Sequence, residues 1–74
     1  MLNNDSCRIL RMREVQCKIG VARSTLYDWS DPRSPRFDET FPKPIRLGGN
    51  SVGWINEEIE DWIYRRAASR KHTY

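Results

Sequence analysis

The sequence predicts a small α+β fold, and three observations predict it. Glu14 to Trp29 carries a helical pattern broken by Gly20. Ile45 to Trp54 alternates apolar residues around a Gly-Gly-Asn-Ser tip. An amphipathic stretch begins at Asn56 behind a polar residue suited to capping. Two short helices, a hairpin and a closing helix together read as a small winged helix-turn-helix domain.

The helical pair comes first. Met12, Val15 and Ile19 recur at spacings of three and four, which places them on one stripe of a helix over Arg13 to Lys18. The turn lies at Ile19-Gly20-Val21, where Gly20 can take φ > 0 and let the chain reverse. A second helix is expected from about Ala22 to Trp29, with Ala22, Leu26 and Trp29 on its apolar face. Arg23, Ser24, Tyr27 and Asp28, with Thr25 at the edge, make the opposite face. That face offers donors, acceptors and one cation, as a helix entering a major groove requires.

Upstream, Arg8 to Met12 reads either as a short strand or as the lead-in to the first helix. Downstream, Ser30 to Thr40 holds two prolines and five charges, so it is a loop. Its Arg33 and Arg36 are either solvated or in contact with phosphate. Phe37 and Phe41 are expected to tuck the loop onto the core.

In the hairpin, Ile45 and Leu47 flank Arg46, and Val52 and Trp54 flank Gly53. Gly48-Gly49-Asn50-Ser51 supplies residues that tolerate a tight turn. Each strand is expected to turn one apolar face to the core, with Lys43 and Arg46 outward. The tip, Gly49, Asn50 and Ser51, could approach a DNA backbone or minor groove closely.

Asn56 is expected to cap a helix running to about Ser69. Its first turns hold Glu57, Glu58, Glu60 and Asp61, and its last hold Arg65, Arg66, Arg70 and Lys71. This arrangement complements the helix macrodipole, so the acids need no metal or catalytic role to explain them. Ile59, Trp62, Ile63 and Ala67 form the buried stripe, and Asp61 and Arg65 an i,i+4 pair. Trp29, Trp54 and Trp62 read as core. Tyr27 is the aromatic expected on DNA.

Size and charge bound the function. A chain of 74 residues is expected to be one domain, ordered from about 8 to 70 between polar tails at Met1–Ser6 and Lys71–Tyr74. It buries only about 60% of its unfolded surface, which leaves little room for a catalytic pocket. The net charge of +3 lies wholly in residues 1–56, because the last helix is balanced. No nucleophile stands beside a base and no carboxylates pair in an apolar setting, so no enzyme and no cofactor are expected. Cys7 and Cys17 read as free thiols, and a lone His72 without a C-x-x-C pair argues against zinc. With neither a signal peptide nor a membrane span, a cytoplasmic location is expected.

The pieces resemble the AlpA family of small prophage regulators, related to excisionases with a MerR-like winged helix. The resemblance rests on Met12-Arg-Glu-Val15, Gly20-Val-Ala-Arg-Ser-Thr-Leu-Tyr27, Phe41-Pro-Lys-Pro-Ile-Arg-Leu-Gly48, Val52-Gly-Trp54, and Glu58-Ile59 ahead of Trp62-Ile63. It spans about residues 9–70. Ala22 stands where such proteins usually carry a capping Ser, and the loop of residues 30–40 is longer than in many of them. The resemblance implies double-stranded DNA as partner and a regulator of excision or integrase genes. It equally implies a recombination directionality factor that binds repeated sites and bends DNA, with an integrase or further copies of itself as partners. The expected contact set is Arg23, Ser24, Thr25, Tyr27, Asp28, Arg33, Arg36, Lys43, Arg46, Gly49, Asn50 and Ser51, with no membrane or small-molecule ligand. Asp28 should meet a cytosine amino group or pair with a nearby arginine. A protein-binding module that docks an acidic partner is the reading from another class.

Overall fold

The computed structural model describes residues 8–70. The two tails, Cys7 and His72 lie outside the described residues. The elements follow in the order β1 (Ile9–Leu10), α1 (Met12–Ile19), α2 (Arg23–Ser30), β2 (Ile45–Gly48), β3 (Ser51–Ile55) and α3 (Asn56–Ser69). The strands form one antiparallel sheet of order β1-β3-β2.

The stretch before α1 is both things the sequence allowed. Ile9 and Leu10 pair with Ile55 and Trp54, and the helix starts at Met12. Arg11 is the N-cap of α1. The Glu14 carboxylate accepts from the Arg11 backbone N–H at 2.8 Å, which closes the first turn. α1 ends at Gly20 in the left-handed region, φ 83°, where its N–H donates to the Gln16 carbonyl at 2.7 Å.

α2 starts one residue later than its apolar spacing suggests. Ala22 is the N-cap, extended at φ −75° and ψ 157°, and it is exposed. A cap residue precedes the helical wheel, so its phase does not carry to Ala22. Val21 packs against the core instead.

The hairpin forms as expected, but its outer strand does not turn inward. Every residue of β2 is exposed, Ile45 and Leu47 included. α1 and α3 both pack mainly on β3, and β2 lies at the sheet edge. Ile45 pairs with Gly53 and Arg46 with Val52, then the register slips before Gly48 meets Ser51. The tip turns on Gly48 and Gly49, φ 148° and 53°.

α3 begins at Asn56 itself, with Ile55 as N-cap, so Asn56 does not cap as expected. Its N–H donates to the Arg8 carbonyl at 2.8 Å and so continues the β1–β3 ladder. The side-chain Oδ1 is buried without a partner.

Leu10, Val15, Leu26, Phe41, Trp54, Ile59 and Trp62 make the core, with Met12, Ile19, Val21, Trp29, Val52 and Ile63 packed around it. Trp29, Phe41 and Trp62 form a ring cluster with centroids 5.1–5.4 Å apart. Each buried indole finds an acceptor: Trp54 Nε1 donates to the Pro42 carbonyl at 3.1 Å and Trp62 Nε1 to Thr40 Oγ1 at 3.3 Å. The cluster anchors the 30–40 loop through Phe41. Phe37, expected to share that task, stays exposed.

Candidate nucleic-acid interface

α2 is held from behind by Leu26, which is fully buried, and by half-buried Trp29. Arg23, Ser24 and Tyr27 face solvent, and Thr25 is half-buried at the edge. Arg23 and Tyr27 lie one turn apart and act as a pair. Arg23 Nη2 donates to Tyr27 Oη at 3.3 Å, and its guanidinium sits 5.7 Å from the ring centroid.

Asp28 leaves this face. Its carboxylate accepts from Ser34 Oγ at 3.3 Å and pairs with Arg36 at 3.6 Å. Of the two environments the sequence allowed, it takes the arginine. Arg33 is likewise engaged, with Asp31 at 3.4 Å. The Arg33 backbone N–H donates to the same carboxylate and holds it below its ordinary pKa.

Ion pairing sorts the remaining cations. Arg8 pairs with Glu14, Lys18 with Glu60, Arg65 with Asp61 and Arg66 with Asp38. Among the described residues, Arg11, Arg13, Arg23, Lys43, Arg46 and Arg70 have no described carboxylate within 4.0 Å. Three of these six share one cleft of about 330 Å³, lined by Arg11, Met12, Arg13, Gln16, Arg23, Tyr27, Asn50 and Val52. The first turn of α1, the outer face of α2 and the start of β3 meet there. No acid lines it.

The wing reaches this cleft through Asn50. Gly49 and Asn50 are exposed, and Ser51 is half-buried. Arg46 is exposed on β2 and reaches the Gly49 carbonyl at 3.5 Å, the limit of a hydrogen bond. Lys43 is not part of the assembly. It lines a different groove, of about 530 Å³, with Glu39, Glu58, Asp61 and Arg65 against α3.

Arg11 and Arg13 were not singled out by the sequence reasoning, which treated their stretch as strand or helix. One signal was available: Arg13 has no acid three or four residues away in either direction that would occupy it on a helix. Arg11 was not findable that way. Its Nε donates to the Val52 carbonyl at 3.0 Å, a contact across 41 residues.

Among the described residues no three His, Cys, Asp or Glu gather as metal ligands, and Cys17 is exposed and free. No helix is long and apolar enough to cross a membrane.

A polar second helix beside a glycine-tipped hairpin, with a cationic cleft between them, defines a winged helix-turn-helix domain. The family model of the prophage CP4-57 regulatory protein (AlpA) matches residues 8–67, and the chain belongs to that family. It is 53% identical over 66 residues to a DNA-binding transcriptional activator AlpA of Escherichia coli (strain K12), covering 89% of this chain and 94% of that protein. It is 39% identical over 67 residues to the uncharacterized protein ORF88 of Enterobacteria phage P4, covering 90% of this chain and 69% of that protein. No solved structure matches the chain significantly.

Proposed function

We propose that this chain is a sequence-specific double-stranded DNA-binding protein that regulates transcription of the excision or integrase genes of a prophage or integrative element. One observation carries the reading: α2 and the wing tip flank a cleft rich in unpaired arginine, in a chain 53% identical to a DNA-binding transcriptional activator. Ser24 and Tyr27 meet base edges in the major groove, flanked by Arg23 and Thr25. Arg46, Gly49, Asn50 and Ser51 hold the adjoining backbone. Arg33 and Arg36, already paired with Asp31 and Asp28, stand at the periphery, and Lys43 reaches DNA only beyond the main contact. The chain has no catalytic role.

The test is to footprint the purified protein on DNA flanking its own gene and compare specific with random duplex by gel shift. One protected site overlapping a promoter is expected. With about five phosphates neutralised, affinity should fall about 10²- to 10³-fold from 50 to 200 mM salt. Equal binding to random and flanking duplex would reject sequence-specific regulation. Several phased sites at an attachment locus would instead make the protein an excision factor.

A further inference from the structure

We propose that the cleft between α1, α2 and the wing seats one phosphate of the DNA backbone, held by Arg11, Arg13 and Arg23. The proposal rests on the DNA-binding reading and adds to it Arg11, the N-cap of α1, and Arg13 in its first turn. Cations elsewhere in the described chain are largely matched by carboxylates, even on exposed surfaces. Here three exposed guanidiniums line one concavity with no acid in its lining, an arrangement that favours an anion.

Arg11 is built for this. Its Nε is committed to the Val52 carbonyl at 3.0 Å, which ties the start of α1 to the wing. The two Nη groups have no protein acceptor among the described residues and remain available as a fork. A guanidinium fork matches two oxygens of a phosphodiester. Arg23 lends its charge while it touches Tyr27 Oη, and Gln16 and Asn50 add neutral donors. The cleft lies between the face that enters the groove and the tip that meets the adjoining backbone. The strand that separates those two contacts therefore crosses it. Such a contact fixes register on the duplex and carries no base information.

The experiment uses the full chain and the duplex recovered by footprinting. One series of duplexes replaces single phosphates by neutral methylphosphonate, and the protein series is Arg13→Gln, Arg11→Gln and wild type. For wild type, one substituted position should weaken binding about five-fold at 0.15 M salt, the share of one phosphate. Arg13→Gln should lower the slope of log affinity against log salt, by at most about 0.9, and shrink the penalty of substituting that position. Its preference among related sites should not change. Arg13 is exposed and makes no side-chain hydrogen bond among the described residues, so its variant reports on DNA even if Arg11→Gln fails to fold. Sequence-specific binding with a wild-type salt slope in Arg13→Gln would overturn the seat and leave the DNA reading intact. No specific duplex binding by the wild type would overturn both.

Discussion

At Ala22 the backbone already has the extended conformation of an N-cap, but a methyl stands where a hydroxyl would accept from the first N–H groups of α2. Ala22→Ser should therefore stabilise the domain by about 1 kcal/mol, read as a raised urea midpoint at constant m-value. An unchanged midpoint would mean that α2 starts elsewhere. The same residue shows what periodicity cannot see. A spacing of four and three placed Ala22 with Leu26 and Trp29, but spacing applies only inside a helix. Asn56 shows the converse. Its polar side chain reads as a cap, yet Ile55 is the N-cap and the helix begins one residue early, with the Asn56 N–H on the Arg8 carbonyl. Asp28 was legible only as a choice between partners, because Arg36 reaches it across a loop whose path the sequence leaves open.

β3 is the element on which the others converge: β1 and β2 flank it, and α1 and α3 pack over it. Gly53 at its middle has no room for a side chain. A Cβ there would run into Ile9 Cγ2 and come within 3.2 Å of the Leu10 carbonyl and of Leu47 Cδ1. Gly53→Ala should cost about 1–3 kcal/mol by overpacking and loosen β1, seen as faster amide exchange at the β1–β3 hydrogen bonds. Wild-type protection would show that Ile9 can move aside freely. The hairpin was readable from alternation around Gly48 to Ser51. β1 was readable only as one of two alternatives, because two residues have no period. The exposure of Ile45 and Leu47 was hidden too, since alternation says which residues share a face but not whether anything covers it.

Across the whole molecule, stability rests on the ring cluster, and surface charge adds a pH-dependent part. Trp62 is 6% exposed and touches both Trp29 and Phe41. Trp62→Ala should cost about 3–5 kcal/mol, enough to abolish the cooperative melt of so small a core. A retained melt near wild type would contradict that packing. Among the described residues, four carboxyls are held below their ordinary values. The Arg11 N–H and the Arg8 charge lower Glu14, the Arg33 N–H lowers Asp31, the Thr40 hydroxyl lowers Asp38, and Lys18 lowers Glu60. Each favours the ionised form in the folded state. Their stabilisation is thus complete above the unfolded values, 4.5 for Glu and 3.8 for Asp, and is lost as pH falls through the lower native ones. The melting temperature should hold from neutrality to about pH 4.5 and decline below it in a calorimetric pH series. The tryptophan geometry has one more consequence. Trp29 rides at the end of α2 with its ring centroid 5.3 Å from that of Trp62, half in solvent and half in the aromatic cluster. Its emission reports how α2 seats on that cluster, so loss of this packing can be followed by fluorescence on unlabelled protein.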